Sequence, residues 1–148
     1  HSQDVIHRFK QAQNAVLFAA GSCWEGVDFP GDMVSSLIVV RLPFPVPDPL
    51  SEAEREQYPT LQDYIKTVVI PDMQVKLRQG FGRAIRTETD TCVVSILDHR
   101  AAPGERYHKA VLDTLPPIRI TAKIEDVEDF IRAKKGPDYF LPRERERL

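Results

Sequence analysis

Gln79, Arg83 and Arg86 fall in the stretch 79–86, Gln-Gly-Phe-Gly-Arg-Ala-Ile-Arg, and their types and spacing suit the recognition of phosphate. On a helix turning about 100° per residue, the three lie within roughly 60° of one another. Met73, Leu77, Phe81, Ala84 and Ile85 fall on the opposite side. One face can therefore anchor in a core while the other presents an amide and two guanidiniums at neighbouring heights. Guanidiniums keep their charge at neutral pH and make forked bonds to phosphate oxygens. The plainer alternative is a solvated basic face on an amphipathic helix. Gly80 and Gly82 weigh against that alternative, because each costs about 1 kcal/mol in a helix interior. Glycine is kept at such positions where something approaches the backbone closely.

A second set of chemical groups lies in residues 21–32, Gly-Ser-Cys-Trp-Glu-Gly-Val-Asp-Phe-Pro-Gly-Asp. Glu25, Asp28 and Asp32 would repel a bare phosphate, but carboxylates suit ribose hydroxyls or the water shell of a metal. A local turn device at a strand end is the other use of such an Asp.

These groups need a scaffold. Residues 4–13 read as a short helix, and the apolar run 15–20 reads as a buried strand ending in the loop 21–32. Residues 36–42 and 92–97 read as two further buried strands. Between them, four prolines in residues 43–49 exclude helix and central strand, so this passage crosses the surface in extended form. Ser51 with Glu54 has the pattern of a capping box opening a helix to about 58. Residues 61–70 have helical spacing that Pro71 should end. Asp72 is placed to cap the arginine-bearing helix, which should run to about 87. Tyr107, Val111 and Leu115 form a helical stripe, and residues 118–121 read as a short fourth strand. Ile124, Val127, Phe130 and Ile131 mark a last amphipathic helix, and 143–148 read as a frayed tail. Near-continuous apolar strands separated by helices predict a mostly parallel sheet covered on both faces. Ligands of such sheets gather at the carboxyl ends of the strands.

With 148 residues, one domain with a real core is expected. Twenty Lys and Arg against 22 Asp and Glu give a net charge of −2, so any nucleic-acid contact must come from a local patch. No apolar run approaches the ~20 residues of a membrane span, and no signal-peptide pattern opens the chain. Cys23 and Cys92 lack metal-ligand spacing and read as reduced thiols of a cytoplasmic protein. The start at His1-Ser2, already close to a helical pattern, suggests a piece of something longer.

Residues 22–31, Ser-Cys-Trp-Glu-Gly-Val-Asp-Phe-Pro-Gly, resemble motif V of the XPD/DinG branch of superfamily-two helicases. Residues 79–86, followed by Thr-Glu-Thr-Asp, resemble their motif VI. Residues 39–49, Val-Val-Arg-Leu-Pro-Phe-Pro-Val-Pro-Asp-Pro, resemble the strand and proline-rich passage of DinG-type members. Ile96-Leu-Asp-His-Arg100 is similar to the strand and turn that follow motif VI. The likeness runs from about residue 14 to residue 100, and more weakly to 117.

The resemblance implies that residues 1–148 are the second RecA-like motor domain of an ATP-dependent DNA helicase moving 5′ to 3′ (nuclear in a eukaryote). The implied fold is a three-layer α/β/α sandwich with a mostly parallel sheet, here lacking its first elements. Gln79 and Arg83 would contact the γ-phosphate region, with Gly82 beside them, and Arg86 would be the arginine finger. Gly26 and Asp28 would line the ribose side, and Glu25 would brace the loop. ATP and Mg2+ would be held mainly by the first RecA-like domain, since this chain has neither a phosphate loop nor a strand-end Asp-Glu-x-His. The iron–sulfur cluster of several relatives would also belong to that first domain. Single-stranded DNA is the implied partner, with Ser22 a candidate phosphate contact or a simple turn hydroxyl. Trp24 is a candidate for base stacking or for the core. Arg41 is expected to pair with a carboxylate, and Asp98 with Arg100 to hold the end of the third strand. The alternative function is a non-catalytic phosphate or nucleic-acid binding module on the same fold.

Overall fold

The protein's structure, a computed structural model, describes residues 2–12, 14–20, 27, 29, 33–85, 87 and 89–139. It forms two compact units, His1–Pro116 and Pro117–Leu148. In the first, α1 (Ser2–Gln11) precedes β1 (Ser36–Val39), and α2 (Pro49–Arg55) and α3 (Leu61–Tyr64) follow. A π-helical turn (Ile65–Val69) then leads into α4 (Ile70–Ala84), β2 (Val93–Ile96) and α5 (His108–Leu112). β1 and β2 pair in parallel with Ser36 opposite Val93 and Val39 opposite Ile96. A parallel pair needs a long crossover, and here α2, α3 and α4 supply it.

The pleat sends alternate residues to opposite faces. Leu37, Val39 and Ile96 face a core completed by Leu42, Met73, Leu77, Tyr107 and Val111. Met73 and Leu77 of α4 are fully buried, which fixes the rotation of that helix about its axis. Gln74 joins α4 to α5 by donating to the Ala110 carbonyl at 2.8 Å. The sheet is thus α/β and parallel, with one face covered by helices. On the other face Ile38 and Leu97 are 56% and 63% exposed.

Several local expectations change. Residues 15–20 form no strand, and Phe18 is 94% exposed. An apolar run reports a tendency to be buried, but a strand also needs a neighbour to complete its hydrogen bonds, and none of the described strands pairs with it. The capping box lies three residues earlier than expected: Asp48 is the N-cap of α2, and Ser51 is its N3 partner. Asp48 accepts from the Ser51 N–H at 2.8 Å, and the Ser51 hydroxyl accepts from the Asp48 N–H at 2.9 Å. This leaves Pro49 at the start of the helix, where a missing N–H costs nothing.

Pro71 does not end its helix. A proline lacks an N–H and its ring crowds the carbonyl four residues back. The π-helical turn just before it, in which the Ile70 N–H donates to Ile65, widens the backbone where that crowding would fall. Asp72 is therefore inside a continuing helix and does not cap it; it pairs with Lys76 at 2.9 Å. The helix closes at Ala84, earlier than expected, with Ile85 already extended.

Asp98 and Arg100 hold the end of β2, as expected, and Asp98 also reaches the backbone after β1. It accepts from the Leu42 N–H at 3.0 Å and from the Arg100 N–H, Nε and Nη2 at 3.1, 2.9 and 2.7 Å. The Arg100 guanidinium in turn lies 4.9 Å from the Phe44 ring centroid, and Phe44 lies 4.8 Å from Tyr107. The start of the proline-rich passage is thereby fastened to the turn after β2. Arg41, by contrast, is exposed and makes no ion pair among the described residues.

In the second unit, α6 (Ile124–Lys134) half-buries Val127, Phe130 and Ile131 and leaves Ile124 exposed. Residues 118–121 form no strand and pair with neither β1 nor β2, and the Thr121 hydroxyl serves the start of α6. It accepts from the Lys123 N–H at 3.0 Å and donates to Asp126.

The bonds from Arg100 hold the Asp98 carboxyl well below the usual carboxylate range. Its stabilising contribution is therefore complete above about pH 4 and is lost as pH falls towards the depressed folded value. Asp98→Ala should destabilise the chain by about 2–3 kcal/mol, the lower end applying because Arg100 is partly solvated. Urea denaturation should show this gap at pH 7 and its narrowing below about pH 4.

Candidate functional site

The last turns of α4 carry the first candidate residues. Met73, Leu77, Gly80, Phe81 and Ala84 make its buried stripe, so Gln79 and Gly82 are left exposed and Arg83 half-buried on the flank. Ile85 has φ −133° and ψ 115°, and its N–H closes the helix on the Phe81 carbonyl at 3.1 Å. The helical spacing therefore applies to Gln79 and Arg83, while Arg86 lies outside the described residues. Beyond the helix, the Thr87 N–H donates to Asp90 at 3.0 Å and the Asp90 N–H returns to the Thr87 carbonyl at 3.2 Å. This reciprocal turn delivers the chain to β2.

Arg83 points towards the second set of groups. Its Nη1 donates to the backbone carbonyl of Val27, 56 residues earlier in the chain. Val27 is itself buried. Two residues on, the Phe29 ring packs edge to face on Phe9 of α1, with centroids 5.6 Å apart. Lys10 lies 5.8 Å from the same ring. Val27 is therefore held from α4, and Phe29 from α1. Neither contact was read from the sequence, although an aromatic residue in a glycine-rich loop is the kind of signal that marks an anchor.

Ser22, Glu25, Gly26 and Asp28 lie outside the described residues, as do Cys23 and Trp24. Cys92 is buried and forms no disulfide among the described residues. The exposed Gln79 amide and the Arg83 guanidinium offer hydrogen-bond donors, and a cation in the last turn of a helix is favoured by the backbone dipole. That set suits the outer oxygens of a triphosphate. It does not suit Mg2+, and among the described residues no group of three or more His, Cys, Asp or Glu could hold a metal ion. An open cavity lined by Glu52, Arg55, Tyr58 and Leu61 among others contains none of the candidate residues.

Residues 1–118 match the helicase C-terminal domain. The chain belongs to this helicase family. Over 112 residues it is 39% identical to the ATP-dependent DNA helicase DinG of Photobacterium profundum, covering 74% of this chain and 16% of that protein. Over 134 residues it is 35% identical to the 3′-5′ exonuclease DinG of Bacillus subtilis, covering 88% of this chain and 14% of that protein. The ATP-dependent DNA helicase YoaA of Haemophilus influenzae is 38% identical over 133 residues, 88% of this chain and 20% of its own. The helicase domain thus spans a small part of the length of these relatives. No helix among its described residues is long and apolar enough to cross a membrane.

The two helix glycines part company in this domain. Gly80 is buried, whereas a Cβ at Gly82 would meet nothing within 4 Å. Gly82→Ala should therefore raise the stability of the chain by about 0.5–1 kcal/mol, the helix penalty of glycine. A higher urea midpoint with an unchanged slope would be the sign of it.

Proposed function

We propose that this chain is the second RecA-like motor domain of an ATP-dependent DNA helicase moving 5′ to 3′, and that it completes an ATP site built mainly by the first domain of the same polypeptide. The Arg83 bond to the Val27 carbonyl carries the reading, because it joins the two stretches that resemble motifs VI and V. Gln79, Arg83 and Arg86 form the phosphate-facing side of the half-site, with Gly82 leaving room beside them. Gly26 and Asp28 face the ribose, Glu25 braces the loop, and Ser22 touches the phosphate backbone of single-stranded DNA. Mg2+ and the bulk of the ATP contacts belong to the first domain, and any iron–sulfur cluster lies there too. ATP binding supplies the charge that the guanidiniums meet. The protein's own task is to bring fixed positive charge to the outer phosphate as charge develops in phosphoryl transfer. The 148 residues alone neither hydrolyse ATP nor unwind DNA.

The exonuclease name of the Bacillus relative favours a second reading for the whole protein, in which the same domain serves nucleic-acid binding without a motor. Turnover separates the two. In the full-length protein, single-stranded DNA should stimulate ATP hydrolysis, and Arg86→Ala should cut the rate by roughly 10³-fold or more with the melting temperature unchanged. Undiminished hydrolysis by the alanine variant would remove the finger assignment, and absence of DNA-stimulated hydrolysis in the parent protein would favour the second reading.

A further inference from the structure

We infer that Arg83 is a positioning residue that fixes the loop at Val27, in addition to any contact it makes with nucleotide. The inference deepens the helicase reading and rests on it for its functional consequence. Three observations support it. The Arg83 Nη1 donates to the Val27 carbonyl, a backbone atom, so the bond holds the main chain at Val27 and not merely a side chain. Val27 is buried at 7% exposure, which makes its carbonyl costly to leave without a donor. Phe29 is independently pinned to α1 through Phe9, so release at Val27 would free the loop on one side only. Of the three described candidates on α4, Gln79 and Gly82 are exposed and Arg83 is the one that is half-buried.

The consequence is mechanical. The buried stripe of α4 fixes where Arg83 begins, and Arg83 fixes where the carbonyl of Val27 ends. The Val27 carbonyl is thereby placed relative to Gln79 by one guanidinium. A fork to phosphate needs the planar geometry of arginine, whereas a single bond to a carbonyl needs only one donor at the right reach. Lysine can supply the second but not the first.

The test uses the full-length protein with Arg83→Met, which keeps the half-buried stem and removes every donor, and Arg83→Lys, which keeps one. Hydrogen exchange at the Val27 and Phe29 amides is measured beside the kcat, the KM for ATP and the DNA concentration that half-stimulates ATPase. Exchange at the β1 and β2 amides is the folding control. The methionine variant should exchange about tenfold faster or more at Val27 and Phe29 with the control unchanged. The lysine variant should recover this protection without restoring kcat, because one ammonium donor replaces the bond to the carbonyl but not a fork to phosphate. Unchanged exchange in the methionine variant, or a lysine variant that exchanges as fast as methionine, would overturn the inference. Should the parent protein lack DNA-stimulated ATPase, the helicase reading fails while the exchange measurement still decides the role of Arg83.

Discussion

Removal of Met73 and Leu77 from water against Val39 and Leu42 is the contact on which the geometry of this protein depends. Burying two such side chains contributes about 1.5–3 kcal/mol each, and it also sets a phase. Once one stripe of α4 is committed to the sheet, the remaining positions have no choice of direction. Gln79 and Gly82 must look outward, and Arg83 must lie along the flank where Val27 passes. The polar groups of the helix are thus aimed by apolar residues buried in the core.

The same economy operates at the carboxyl ends of the strands. A single buried carboxylate, Asp98, gathers the backbone after β1, the backbone after β2 and the guanidinium of Arg100. With its partner charge in place, the carboxylate can be buried without a large penalty. Arg100 then passes the constraint on to Phe44 and Tyr107 through its flat face. Chain segments far apart in sequence are so brought to one edge, the edge at which parallel sheets present their ligand sites. The proposed role needs such rigidity, because a guanidinium displaced by even an ångström loses much of its effect.

The candidate site was legible where local chemistry was sufficient. The amphipathic pattern of residues 73–84 gave the buried stripe correctly, since helix periodicity depends only on the spacing of apolar residues. The two long motifs pointed to a helicase family that the comparisons bear out. The strands 36–39 and 93–96 fall within the longer apolar runs read as strands, whereas their pairing with each other was not read from the sequence. Less legible were the features that depend on competition between neighbours. Asp48 outcompeted Ser51 as the cap because Pro49 is the better first helical residue. Pro71 was absorbed by a π-helical turn, a device with no sequence signature of its own.

Read alone, the sequence determined composition-level properties that are additive along the chain. These are the amphipathic phase of α4, the placement of arginine, glutamine and glycine upon it, and the exclusion of helix from residues 43–48, since Pro49 already opens α2. Only the tertiary structure decided that Arg83 meets the carbonyl of Val27, that Phe29 rests on Phe9, and that residues 15–20 find no strand partner among the described residues. The physical reason is that each of these is a contact between distant segments. Its free energy depends on where the whole chain has already been placed, and no local pattern encodes that.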